Sequence, residues 1–404
     1  MPNPLSARTI ELVKQSAPAV AAHASDITKT MYGLLFKDEH IKALFNQANH
    51  GENGSQVHAL AAAIVGYAQN IDNLAPLLPV IERIAHKHIG FHILSEHYPY
   101  VAKSLLAAIR EVLGEAVSEE LINAWGEAYW FLADTLIERE EQIRAELEKR
   151  AGGWNGWREF RVAEKIKESD VVTSFVLRPV DGQGVALHRA GQYLTFDLCL
   201  PDGSKMKRNY SISSGPNQGF YRISVKREEN GKGGSRYLHD HVAVGTVLKV
   251  TPPAGDFYLP EEPTSEMVLL SGGVGLTPMV SMLEAIAGDY PDVEAHFVHG
   301  AMNSSTHAMD KHVRSLALRH GRVSVSTFYS EPAARDVAGF SHDEDGFITR
   351  GWLEANTPID TANFYICGPK PFLRSMVSDL RALGVSSDRI HYEFFGPADE
   401  LLAA

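Results

Sequence analysis

The chain has 404 residues, 44% hydrophobic and 22% charged, a composition that excludes a disordered, collagenous or coiled-coil protein and provides material for two or three cores. Its formal charge of −12 is shared evenly: residues 1–150 carry 13 Lys+Arg against 19 Asp+Glu, a net −6, and the rest carries the other −6, so no part is basic enough for nucleic acid or an anionic membrane. The two cysteines, Cys199 and Cys367, have no CxxC spacing, which argues against a disulfide framework or structural zinc and fits a reducing cytoplasm; no apolar run has the length of a membrane span, and the start MPNPLSARTIELVKQ lacks a signal-peptide pattern.

Residues 1–150 read as helical, with apolar residues three and four apart in LSARTIELVKQSAPAVAAHASDITKTMYGLLF and in SEELINAWGEAYWFLADTLIEREEQIRAELEKR. The last of these helices has Ser118 as its N-cap, Glu119 and Glu120 in its first turn and Lys149 and Arg150 at its end, as the helix dipole favours. Between them, ERIAHKHIGFHI (82–93) carries His86, His88 and His92. On a helix His86 points ~200° away from His88, and His92 shares its face only if the helix runs on past Gly90. The segment alone singles out none of the three as a ligand.

The glycine-rich AGGWNGW (151–157) is the clearest boundary. Short β-rich runs follow to about Pro260 (EFRVAEKI, VVTSFVLRPV, QYLTFDLCL, NYSIS, FYRISVKR, TVLKVTPP), divided by turns such as PVDGQG and LPDGS, and predict a small antiparallel barrel. Within it, Arg208, Tyr210 and Ser211 of KRNYSIS can supply a cation, an aromatic face and a hydroxyl, and GKGGSRYL (231–238) sets glycines before a short helix, where backbone N–H groups meet anions. From Met267 strands alternate with helices, which predicts a parallel sheet covered on both faces. GGVGLTP (272–278) joins a strand to a helix, with Pro278 in the first turn, and CGP (367–369) ends a later strand; both loops belong at the ligand-binding edge.

In order, GQY, RxYS, GxxS, GxGxxP and CGP resemble the ferredoxin–NADP reductase family over residues 155–397. The resemblance implies FAD bound by Tyr193, Arg208, Asn209, Tyr210, Ser211, Gly233, Gly234 and Ser235, with Phe394, Phe395, Gly396 and Pro397 of the closing EFFGP beside the flavin. It implies NAD(P) held by Gly273, Val274, Gly275, Leu276, Thr277, Pro278, Cys367, Gly368 and Pro369. HGAMNSSTHAMD (299–310) has no Arg or Lys for a 2′-phosphate, which favours NADH over NADPH unless Lys311 or Arg314 reaches round. Cys367 reads as a packing or nicotinamide contact ahead of a redox thiol.

With that reductase half, the order Tyr32, Phe45, Gln56, Leu60, KH, Tyr98 and IERE is similar to the globin domain of bacterial flavohaemoglobins, and the likeness spans the whole chain. It implies a b-type haem with His88 as proximal ligand, Tyr98 and Glu140 as the partners of its second nitrogen (Glu138 the competing carboxylate), Tyr32 and Gln56 on the distal side (His58 the competitor) and Phe45 and Leu60 lining the pocket. Lys87 and Glu393 are the family positions that tune the haem–FAD junction. The expected architecture is an all-α globin domain (1–150), an antiparallel β-barrel FAD-binding domain (151–261) and an α/β parallel-sheet NAD(P)-binding domain (262–404). The expected activity is nitric oxide dioxygenation, in which NO and O2 become nitrate with electrons passing from NADH through FAD to haem. An alkylhydroperoxide or flavin reductase, or an oxygen-binding globin kept ferrous by its reductase, are the competing readings. A monomer is expected, with lipid as an alternative occupant of the distal pocket.

Overall fold

The computed structural model describes residues 4–45, 55–231, 233–263 and 266–395, with backbone alone for 55–59. The first body comprises α1 (Ala7–Ala22), α2 (Ala24–Leu35), α3 (Glu39–Leu44), α4 (Ser55–Gln69), α5 (Leu78–Phe91), α6 (Tyr98–Leu113) and α7 (Glu119–Lys149). The apolar stripes meet in one core that buries Val13, Ile27, Met31, Ala68, Ile109 and Trp125. As its sequence dictates, α7 starts with the Ser118 hydroxyl accepting from the Leu121 N–H. A second cluster of Ile81, Tyr98, Ala133 and Leu136 packs the histidine helix α5 against α6 and α7. Helix α5 ends where His92 adopts a left-handed φ of 54°, its N–H turning back to the Ile89 carbonyl at 3.1 Å.

The glycine-rich seam after α7 is packed. A Cβ on Gly153 would lie 1.8 Å from the Leu147 carbonyl oxygen, and one on Gly152, at φ +72°, 2.6 Å from the Val185 carbonyl carbon. Only glycine lets the chain fold back so closely on the last turn of the helix before the next strand begins.

The second body holds β1 (Arg158–Lys167), β2 (Val172–Pro179), β3 (Tyr193–Cys199), β4 (Lys205–Ser211), β5 (Tyr221–Lys226), α8 (Gly234–His241) and β6 (Val247–Val250), in the antiparallel order β4-β3-β6-β1-β2-β5. A bridge between Ile212 and Ile223 draws the two edges together, so the sheet curls around Phe160, Phe175, Leu194 and Phe196.

The third body contains β7 (Met267–Gly272), α9 (Leu276–Asp289), β8 (Ala295–Ala301), α10 (Asp310–His320), β9 (Val323–Tyr329), β10 (Glu344–Asp345), α11 (Arg350–Asn356), β11 (Asn363–Cys367), α12 (Lys370–Ala382) and β12 (Ile390–Glu393). Its strands run parallel in the order β10-β9-β8-β7-β11-β12, with β7 buried along its whole length. Successive strands add to one side of β7 and then to the other, so the strand order reverses between β7 and β11, the point where open parallel sheets bind ligands. Separate apolar clusters cover the two faces, one built with α9 and α10 and the other with α11 and α12. Short β10 and α11 have no counterpart in the sequence reading, being too brief to show a period. Among the described residues no helix is long and apolar enough to cross a membrane.

Candidate functional site

The two histidines of α5 and the one that caps it diverge. His88 Nδ1 lies 2.7 Å from Glu140 Oε1 and 3.0 Å from the Tyr98 hydroxyl, and that hydroxyl donates to the same Glu140 oxygen at 2.6 Å. Glu140 is fully buried, and Arg144, one turn on, approaches its other oxygen at 3.5 Å while donating to the Ile93 carbonyl. A carboxylate oxygen accepts, so Nδ1 carries the imidazole proton and Nε2 presents its lone pair outward, the donor a haem iron takes. Burial, and then the Glu140 charge, raises the Tyr98 phenol and keeps it a donor. His86 faces another way, 3.2 Å from Glu82, which Arg139 holds with two hydrogen bonds of 2.7 and 2.8 Å. His92 rests on the seam: a Cβ on Gly156 would meet its Cε1 at 3.1 Å.

Tyr32 is buried on α2, its ring 6.0 Å from Phe45 and 5.3 Å from Phe36, and burial raises its phenol too. Leu60 packs on the edge of the same core. Gln56 and His58 lie on the backbone of α4, and their side chains are outside the described residues.

Strand pairing gathers the flavin motifs. Tyr193 pairs with Ser211, Thr195 with Asn209 and Phe196 with Arg208 across β3 and β4. The turn into α8, with Gly233 at φ +106°, crosses over these residues: a Cβ on Gly234 would meet Arg208 Cγ at 3.1 Å and the Tyr210 hydroxyl at 3.4 Å. The Ser235 hydroxyl accepts from the Glu228 N–H at 3.1 Å and closes the loop. Burial lowers the pKa of the Arg208 guanidinium, a strain that a bound anion relieves. The Tyr193 hydroxyl is buried with no partner among the described residues. An anionic group with a polar tip, such as a dinucleotide, fits this set. Phe394 follows β12 half-buried and Phe395 exposed, while Gly396 and Pro397 lie outside the described residues.

At the switch point, Gly273–Gly275 form one tight turn, with Gly273 at φ +54°, before Leu276, Thr277 and Pro278 open α9. A Cβ on Gly275 would lie 2.2 Å from the Cys367 carbonyl oxygen and one on Gly272 3.3 Å from Pro369 Cδ, so these two glycines pack directly on the Cys367–Gly368–Pro369 turn. Burial pushes the Cys367 thiol well up, and no solvent reaches it, which removes the redox-thiol reading. Beyond β8, Arg335 Nε donates to Ser304 Oγ at 3.1 Å and Asp336 accepts from the Ser304 N–H at 3.1 Å. Both come from the loop after β9, which the sequence reading did not consider. Arg314 is held by Asp310 at 2.9 Å, Thr327 at 3.0 Å and Asp343 at 3.3 Å.

Glu393 ends β12 between the bodies, its carboxyl pushed up to about 7 by burial and by Asp256, against the opposing pull of Lys87 and Arg83. Arg83 of α5 pairs with Asp256 at 3.1 Å, an interdomain contact invisible in sequence. A carboxyl raised in the fold stabilises the folded state while neutral, fully so below its ordinary 4.5, and that contribution is lost as pH rises through about 7. The thermal midpoint should therefore fall more steeply between about pH 5 and 7 in the native protein than in Glu393→Gln, as calorimetry at several pH values will show.

A globin-like helical body joined to a flavin barrel and a nucleotide-binding sheet defines an electron-transferring oxidoreductase. Sequence models of the families Globin (residues 28–136), Oxidoreductase FAD-binding domain (159–258) and Oxidoreductase NAD-binding domain (269–378) match the three bodies in turn. A flavohemoprotein of Xylella fastidiosa is 53% identical over 399 residues, covering 99% of each chain, and one of Rhodopirellula baltica 44% identical over 407 residues, covering 99% of this chain and all of its own. The chain belongs to the flavohemoprotein family. The crystal structure of a flavohemoglobin from Malassezia yamatoensis with bound FAD and heme superposes with a TM-score of 0.85 at 25% identity, covering 98% of this chain and 100% of that one. The FAD/NAD-binding domain of nitric oxide dioxygenase from Vibrio cholerae, 36% identical, covers 59% of this chain and 99% of its own with a TM-score of 0.54.

Proposed function

We propose that the chain is a nitric oxide dioxygenase that uses NADH, FAD and a b-type haem to convert NO and O2 to nitrate in a reducing cytoplasm. The observation that carries this reading is the bonding of His88 to Tyr98 and Glu140, the histidine standing on a helix whose other side abuts the flavin strands. The activity is that of the Vibrio cholerae relative. When bound, haem supplies one-electron oxygen chemistry and FAD divides a hydride into single electrons.

The protein's own residues do the rest. Glu140 draws on the Nδ1 proton of His88, which raises the basicity of Nε2 toward a metal, and Tyr98 fixes the ring plane. Tyr32, held neutral by burial, offers a hydrogen bond to an oxygen that gains charge on the distal side, the resemblance assigns Gln56 the assisting role, and Leu60 and Phe45 line the pocket. Arg208 and the Gly233–Ser235 loop take the FAD phosphates; Tyr193, Asn209, Tyr210, Ser211, Phe394 and Phe395 frame the rest, and Lys87 and Glu393 set the charge at the junction. The stacked Gly273–Pro278 and Cys367–Pro369 loops hold the nicotinamide nucleotide. Asp336 offsets Arg335 at the loop after β8, so NADH is preferred; kcat/KM for NADH should exceed that for NADPH by about tenfold, the order of a single charge contact, in parallel steady-state assays.

The decisive experiment supplies NADH, O2 and NO together and follows all three. Nitrate formed at about two NO per NADH, the ratio of one hydride to two single electrons, supports the dioxygenase, whereas NADH loss indifferent to NO sinks it. Glu140→Gln keeps the size of the side chain and removes its charge. It should lower NO turnover by about 10–100-fold and weaken the iron–histidine stretch in resonance Raman spectra, with flavin reduction unaltered.

A further inference from the structure

We propose that Lys207 is a positioning residue for flavin-to-haem electron transfer: from the flavin strand β4 it clasps the last turn of α5 and fixes the His88 helix against the flavin site. Lys207 Nζ donates to the Phe91 carbonyl at 2.9 Å, a contact between residues 116 apart in the chain. Phe91 is the last residue of α5, where carbonyls have no partner inside the helix and a cation is favoured. The same ammonium lies 5.4 Å from the centroid of the Trp157 ring, just past the glycine seam. Burial draws its pKa down to about 8, against Asp197, so the charge sits in a desolvated place between the bodies and not in a solvated surface pair.

A second contact one residue earlier makes the clasp possible. A Cβ on Gly90 would meet Thr195 Oγ1 at 2.8 Å and the Tyr193 ring at 3.4 Å, so the helix touches β3 through bare backbone. Thr195 in turn donates to Asn209 at 2.9 Å, beside Lys207 on the same strand. His88, Gly90 and Phe91 therefore connect, within one helical turn, the Glu140 cluster, strand β3 and strand β4. Any slip of this turn changes where the His88 ring stands relative to the flavin strands.

The inference rests on the electron path proposed above. Lys207→Met keeps the packed stem and removes the donor. Mixed anaerobically with NADH, this variant should reduce its flavin at the native rate and its haem about tenfold more slowly, because the helix that carries His88 is no longer held against the flavin strands. Lys207→Arg should restore the rate. Amide hydrogens of residues 89–93 should exchange faster in Lys207→Met, with or without cofactors. Gly90→Ala, which acts from the globin side, should give the same split between flavin and haem reduction. Native haem reduction in Lys207→Met overturns the assignment, as does loss of FAD, which would place the lysine in the flavin site. If the native protein passes no electrons to haem, the path itself fails. The clasp is then judged by amide exchange alone, and unchanged exchange overturns it.

Discussion

His88→Ala is expected to yield a protein that purifies without haem absorbance yet still bleaches its flavin on addition of NADH. The only imidazole of α5 bonded to a buried carboxylate through Nδ1 is His88, so the outward Nε2 has no replacement on that face. The variant also leaves Glu140 buried beside Tyr98 and Arg144 without its imidazole partner, which costs about 1–3 kcal/mol and lowers the thermal midpoint of the helical body. The reductase bodies have cores of their own and should lose nothing. His86→Ala is the control: its ring contacts Glu82 on a different face, and haem should stay. A native haem spectrum in His88→Ala, or haem loss in His86→Ala, would show that the ligand register is wrong.

Gly275→Ala should have the complementary effect, with haem and FAD retained and NADH rejected. A methyl group there meets the carbonyl oxygen of Cys367 at 2.2 Å and the Gly368 nitrogen at 2.7 Å, both backbone atoms of buried residues. Neither loop can yield without moving the other, and a shift of ~1 Å at a nucleotide site is enough to lower kcat/KM by about 100-fold. Stopped-flow bleaching of the flavin by NADH reads this directly. Reduction by dithionite, which needs no nucleotide site, should proceed normally.

What was legible beforehand follows from the range of each interaction. Helix geometry allowed only one of Glu138 and Glu140 to face His88, and the family resemblance pointed to Glu140, where the structure places the contact. The turns GGVGLTP and CGP were legible as loops at strand ends, and strand pairing brings them together. His92 could not be placed, since whether α5 continued past Gly90 depended on the left-handed turn that the seam supports from below. Arg83, Asp256, Lys207 and Arg335 carried no pattern at all. Each is an ordinary charged residue in its own segment and gains its role from a partner brought close by the assembled bodies, such as Asp256 to Arg83 or Phe91 to Lys207. Arg144 was within reach of the sequence, one helical turn after Glu140, and an i,i+4 acid–base pair was the signal for it.

The packed glycine seam also bears on how the two halves could have lived apart. Each half carries a net charge of −6, so as separate proteins they would repel, and their encounter would slow as salt was withdrawn. A slack tether would only raise their local concentration to the millimolar range. Folded back on Leu147 and Val185, the seam leaves no encounter to make. Delivery of electrons to the globin body thus becomes independent of protein concentration and insensitive to ionic strength, a property of one molecule and not of a collision.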